Sequence, residues 1–286
     1  IGGADAIESV EQELQNLMLR IRYAQVPVVA AIHGMALGGG CEFQMHSAKT
    51  VAHLESYIGL VEAGVGLLPA GGGLKLVELA PNVQHVQGGT ANSLIVAMKD
   101  HLVIFDAPYG EKQSRWTIDA AKAKYPGKPI KYLVLTHHHM DHTGGMRAYV
   151  AEGATVVVPQ GSKEVFAKAS RAAHTVAPDA QQQAGNKAAK IVEVKDTMAL
   201  KDDTAEIKLM NIPNPHVDGM IIAHVVGPNI VWVTDLISPR GPIGRSPATV
   251  AVGEALRKAN ISGATIAGGH GATAKQADIG PALAAN

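Results

Sequence analysis

The sequence predicts an α/β chain, on three observations. From residue 93 onward, short apolar runs of strand length alternate with segments whose apolar residues recur at helical spacing. Small residues dominate, with 31 glycines and only 4% aromatics in 286 residues, which suits closely packed helix and sheet layers joined by glycine turns. An apolar share of 47% against 17% charged residues provides for a full core.

The elements follow in order. Residues 8–24 place Val10, Leu14, Leu17, Met18 and Ile21 on one helical stripe, which Pro27 stops. Residues 28–32 are a short buried strand, followed by glycine runs at 38–40 and 71–73. The compositional style changes between Glu78 and Pro81. Residues 93–98 and 101–106 form a hairpin across Lys99-Asp100, and residues 117–125 a helix ended by Pro126-Gly127. Residues 130–136 are a continuous apolar strand with both faces buried, and a helix begins near His142. Further strands are expected at 154–158, 205–210, 220–226, 230–234 and 264–267, and a helix at 246–258. The glutamine-rich stretch 177–190 reads as an exposed helix or a flexible loop.

Composition excludes several classes. The formal net charge is zero and there is no basic stripe, so nucleic acid is not an expected partner. No apolar run reaches the length of a bilayer span, so no membrane role is expected. The single cysteine, Cys41, rules out an internal disulfide framework or a cysteine-based zinc site and fits a reducing compartment. No secretory signal pattern follows Ile1, which makes the cytoplasm the expectation and the periplasm the alternative should a signal precede. A small molecule is the expected partner.

The chemistry concentrates in Thr136-His137-His138-His139-Met140-Asp141-His142, directly after a predicted buried strand. Alternate residues of an extended segment point the same way, so His137 and His139 face one metal together while His138 faces away. Asp141 and His142 come as the chain turns into a helix and can aim at a second, adjacent metal. Imidazole and carboxylate suit zinc and other first-row divalent ions. His85, His101, His174 and His224 lack ligand spacing and read as structural or surface residues.

On this motif, residues from about 83 to the end resemble the metallo-β-lactamase superfamily. The resemblance implies a four-layer αββα sandwich with two metals at one edge of its sheets. It implies His216, in Pro213-Asn214-Pro215-His216, as third ligand of the first metal, and His270, in Ala267-Gly268-Gly269-His270, as third ligand of the second. Asp235, closing Val231-Trp232-Val233-Thr234-Asp235, is the implied bridging acid, and Asp106 the implied support for a ligand. Two divalent ions follow, zinc foremost with iron or manganese as alternatives. They would share a water whose pKa falls to around 7, at a metal spacing of about 3.5–4 Å. Asp141 would orient that nucleophile and take its proton. An acid at Asp235 differs from zinc β-lactamases with cysteine there and is closer to glyoxalase II, lactonases and thioesterase-type members. The expected reaction is hydrolysis of a small ester, thioester, lactone or amide. A β-lactamase-like activity and a one-iron persulfide dioxygenase are the alternatives.

The N-terminal region differs. Residues 27–42, with Gly38-Gly39-Gly40-Cys41-Glu42, and residues 57–62, ending in Glu62, resemble the crotonase or enoyl-CoA hydratase superfamily. That resemblance implies Glu42 and Glu62 as the pair handling water and proton, with the amides of Gly39 and Ala4 as an oxyanion hole. The segment covers about a third of that family's length, so the expected crotonase fold is incomplete. The chain therefore reads as a partial crotonase-like segment, residues 1–80, joined to a hydrolase domain, residues 81–286. The hydrolase region lacks a first edge strand of its own, a place the preceding segment could fill.

Overall fold

The computed structural model describes residues 4–37, 39–53, 56–59, 74–89 and 91–284. The chain divides into two compact units, Ile1–Lys75 and Leu76–Asn286.

In the first unit the amphipathic stripe becomes α1 (Ala4–Arg22), with Met18 buried. The helix α2 (Gly39–His46) packs against α1 and buries Cys41 and Glu42. Strand β1 (Val29–Ile32) pairs in parallel with β3 (Lys49–Ala52), and β2 (Met35–Leu37) with β4 (Tyr57–Gly59). The buried strand expected at 28–32 is instead alternately exposed and half-buried. Among the described residues β1 has a single partner strand, so one edge is left without a neighbour. The second glycine run and Glu62 lie outside the described residues.

The second unit contains two sheets. Strands β5 (Lys75–Ala80), β6 (Val83–Gln87), β7 (Ser93–Ala97), β8 (Leu102–Phe105), β9 (Ile130–Val134), β10 (Thr155–Pro159) and β11 (Ile191–Val194) form a seven-stranded sheet, in the order 11-10-9-8-7-6-5. Strands β12 (Thr197–Lys201), β13 (Glu206–Ile212), β14 (Met220–Val225), β15 (Ile230–Val233), β16 (Thr265–Gly268) and β17 (Thr273–Lys275) form a six-stranded sheet in chain order. The two inner faces meet in one apolar core. Leu94, Val96, Val103, Phe105, Val134 and Val157 come from the first sheet and Leu209, Ile221, Ala223, Trp232 and Ala267 from the second. Strands β7, β8, β14 and β15 are buried throughout, because helices cover both outer faces.

On the outer face of the first sheet, α5 (Met146–Ala151) packs on β9 and α6 (Lys163–Ser170) on β11, with α3 (Glu111–Lys124) against α5. Outside the second sheet, α8 (Pro247–Lys258) and α9 (Gly280–Leu283) bury Val252, Leu256 and Leu283 against Ile222, Val231 and Ile266. The result is a four-layer αββα sandwich. Ser246 caps α8 in a capping box with Thr249 and Pro247 follows at the first turn, which fixes the start of this helix as the sequence predicts.

Three local outcomes differ from expectation. Strand β9 exposes Lys131 near its start, where the ammonium lies over the Tyr132 ring. The stretch 177–190 holds only the one-turn α7 (Ala180–Gln183), whose cap Asp179 is gripped by the buried Arg147 guanidinium. Residues 75–80, read from sequence as part of the N-terminal segment, form β5 at the edge of the larger unit's sheet.

Candidate metal centre

Four chain segments leave the sheets at one end and deliver the chemistry there. After β9 the chain runs through buried Leu135, Thr136 and His137, bends at His137-His138, and reaches His139 (φ −65°, ψ 144°), which caps the short helix α4 (Met140–Thr143). His137 and His139 come together, ring centroids 4.6 Å apart, across this bend rather than along the extended run expected from sequence, and the first helical turn brings Asp141 and His142 to the neighbouring group. After β13, the Asn214 side chain accepts from the amides of His216 (2.9 Å) and Val217 (3.0 Å), a tight turn that presents His216. Asp235 follows β15 at a left-handed φ of 53°. His270 follows β16 across Gly268-Gly269, and a Cβ on Gly269 would overlap the Thr234 side chain, so only glycine admits this approach.

These residues converge in two groups, His137, His139, His216 and Asp235, and Asp141, His142, Asp235 and His270. Asp235 is common to both. Its Oδ2 lies 3.0 Å from His137 Nε2 and 2.9 Å from His216 Nε2. Its Oδ1 lies 2.7 Å from His270 Nε2 and 3.2 Å from His142 Nε2. Asp141 Oδ2 stands 3.5 Å from His142 Nε2 and 3.4 Å from His270 Nε2. Facing imidazole nitrogens come equally close, His139 Nδ1 to His216 Nε2 at 3.1 Å and His142 Nε2 to His270 Nε2 at 3.2 Å.

The donor set fits divalent cations. His137 Nε2 is buried and lies 3.0 Å from Asp235 Oδ2. Three imidazole nitrogens with one carboxylate, or two with two, match the nitrogen and oxygen ligation of zinc and related ions. The electrostatics agree. Burial works to raise the Asp235 pKa, but His137, His142 and His270 outweigh it and hold the carboxyl far below the usual range. Burial works to lower the His142 pKa, yet bonds to Asp106 and Asp235 drive it up to about 10. His139 is pushed down by burial and by the histidines around it.

Asp106 stands behind the centre and accepts from His142 Nδ1 at 3.2 Å, the supporting place expected for it. Sequence reasoning did not find Thr136, Trp232 and Thr234 as its companions, because nothing local marks them. The remaining histidines are accounted for structurally. His138 is exposed. His85 donates Nε2–H to Gly268 O (2.9 Å), His174 pairs with Asp179 (3.1 Å) and His224 donates to Asn229 (2.9 Å). His101 gathers with Asp100 and Asp202 at the far end of the strands, where Asp202 already accepts from Lys99, Thr204 and Ala205 in a turn. In the first unit Gly39 opens α2, Glu42 is buried on it and Ala4 opens α1.

A groove of about 540 Å³ adjoins His270, with Gln87, Gly88, Asn92, Pro239, Arg240 and Gly271 among its walls. A slightly larger cavity of about 590 Å³ lies at the opposite strand ends, beside Met98, Lys128, Glu206 and Val225, remote from both groups. The groove borders the turn after His270 through Gly271 and Ala272.

Comparison with known proteins bears on both units. A family model described as "Metallo-beta-lactamase superfamily" matches residues 86–270, and one described as "Enoyl-CoA hydratase/isomerase" matches residues 3–86. A linear primary-alkylsulfatase of Pseudomonas sp. is 30% identical over 103 residues, 36% of this chain and 15% of that protein. A probable 3-hydroxyacyl-CoA dehydrogenase of Bacillus subtilis is 49% identical over 69 residues, 24% of this chain and 9% of that protein. This chain thus spans at most about a sixth of the length of these two relatives. The crystal structure of a metallo-β-lactamase from Hirschia baltica superposes with a TM-score of 0.54 at 19% identity, covering 73% of this chain and 96% of that one.

Proposed function

Because this chain belongs to the metallo-β-lactamase superfamily, we propose that it is a metal-dependent hydrolase with a dinuclear centre. His137, His139 and His216 hold one divalent ion, Asp141, His142 and His270 the other, and Asp235 lies between them. The observation that carries this reading is the split of the Asp235 carboxylate, with one oxygen toward each histidine group. When bound, such ions supply Lewis acidity and a water acidified to around pKa 7.

The chain's own residues supply the rest. His137 and His142 are fully buried and close the back of the centre to solvent, while His139, His216 and Asp141 remain partly exposed on the side where substrate enters. Asp141 stands beside His142 and His270 with its carboxylate a third exposed, placed to orient a water and accept its proton. The substrate is a small ester, thioester, lactone or amide. The alkylsulfatase likeness adds sulfate esters to that set, and Arg240 on the groove wall is a cation suited to such an anion.

Elemental analysis of the purified chain is expected to find close to two equivalents of zinc, iron or manganese. Hydrolysis across a panel of ester, thioester, lactone, β-lactam and alkyl sulfate substrates is expected to vanish with chelator and in His139→Ala. Undiminished hydrolysis by metal-free, folded chain would overturn the reading.

A second activity is supported by the enoyl-CoA hydratase/isomerase match and by Glu42, which is buried in its helix. Hydration of a short enoyl-CoA that survives chelator but is lost in Glu62→Gln would assign it to the first unit. No hydration at high protein concentration would remove it.

A further inference from the structure

Beneath both histidine groups a buried chain of hydrogen bonds ends on one carboxylate. Asp106, fully buried at a φ of 57°, accepts at Oδ1 from the Thr136 amide (2.8 Å) and hydroxyl (3.0 Å). At Oδ2 it accepts from His142 Nδ1 (3.2 Å) and from the Trp232 indole (3.4 Å). A carboxylate only accepts, so the Thr136 hydroxyl proton is committed to Asp106. The Thr136 oxygen is left to accept, from the Thr234 hydroxyl at 3.1 Å and from His137 Nδ1 at 3.1 Å. A proton on His137 Nδ1 completes this arrangement and leaves Nε2 bare toward the first group. His142 donates its own Nδ1–H to Asp106 and turns Nε2 into the second group. Thr136, Thr234, Trp232, His137 and His142 are all buried, so water does not compete for these bonds.

We propose that Thr136, braced by Thr234, is a positioning residue that links Asp106 to His137, so that Asp106 fixes the tautomer and ring orientation of one ligand in each group. One buried carboxylate thereby tunes both metal sites, directly at His142 and through a hydroxyl relay at His137. This inference rests on the reading that the two groups hold metal. Because the two routes differ, removal of the Thr136 hydroxyl frees His137 and leaves the His142 bond to Asp106 in place.

The test is zinc titration of the metal-free full chain against a competing chelator, repeated with cobalt(II) to follow the ligand-field bands of each equivalent. Thr136→Val keeps the side chain's shape and is expected to weaken one equivalent by about 10–100-fold, the usual effect of losing a partner behind a ligand, while sparing the other. Thr136→Ser restores the hydroxyl and is expected to restore the affinity, a rescue that a packing role would not give. Thr234→Val and Thr234→Ser read the same relay one link further out, with a smaller loss and the same rescue, should Thr136→Val not fold. Folded Thr136→Val binding both equivalents as the wild type does, or Thr136→Ser as weak as Thr136→Val, would overturn the relay alone. A wild-type chain that takes up no zinc would overturn the hydrolase reading and this inference together.

Discussion

Asp235 and His85 show how burial decides what one residue does here. Asp235 stays ionised despite burial because four histidines stand within 3.2 Å of its oxygens. His85 is fully buried against the Trp232 ring, with the Gly268 carbonyl and the Gln87 amide as polar neighbours, so desolvation pushes its pKa down to about 4 in spite of that carbonyl. Above pH 6.5 the imidazole is neutral in both folded and unfolded chains and contributes no pH dependence. Between 6.5 and 4 the unfolded chain takes up a proton that the folded chain refuses, so stability falls as pH falls, by up to about 3 kcal/mol, and levels off below 4. Denaturant unfolding of metal-free protein from pH 7.5 to 4 is expected to show this slope, and His85→Gln to flatten it. An equal slope in both proteins would place the effect elsewhere.

At the scale of elements, the centre depends on four strand ends brought into contact by short, conformationally demanding turns. β15 and β16 run parallel, and their ends approach so closely that Gly269 sits against Thr234. Asn92 fastens the same turn by donating to Gly268 O (2.9 Å) and Gly271 O (2.7 Å). In Gly269→Ala the new methyl group must push Thr234 and the His270 turn apart, an overpacking cost of about 1–3 kcal/mol. A lowered thermal midpoint together with weakened zinc uptake is the expected outcome. A variant of wild-type stability and affinity would show that the turn relaxes without moving His270.

Across the whole molecule, the two units differ in how well they bury their apolar residues. The larger unit has continuous cores between its sheets and under its outer helices. In the smaller unit the buried hydrophobic residues, among those described, are Met18 and Cys41, while Val10, Tyr23, Val26, Val29 and Val51 are each more than half exposed. Such a unit has little burial energy with which to offset chain entropy. Limited proteolysis is expected to cut first before residue 75 and to leave a resistant fragment carrying the two-sheet unit. Cleavage that begins inside the two-sheet unit would contradict this ranking. The compact units part at Lys75 and Leu76, because β5 pairs into the larger sheet.

What the sequence by itself determined is the local chemistry. An H-x-H-x-D-H run directly after an apolar strand is written in contiguous residues, whereas His216, Asp235 and His270 were implied by the family resemblance that this run carries. The alternating patterns also located most central strands to within one or two residues, since burial on both faces leaves a dense apolar run. Edge strands such as β5, β12 and β17 were not legible, because half-exposed strands carry mixed composition and are held by their neighbours' backbone bonds. Only the tertiary structure decided which Asp235 oxygen faces which group, that Thr136 and Trp232 meet on Asp106, and that Thr234 backs Thr136 there. Those contacts join residues from two different sheets. Threonine and tryptophan next to an apolar run look like ordinary strand residues until the sandwich closes over a buried carboxylate that Thr136, Trp232 and His142 satisfy.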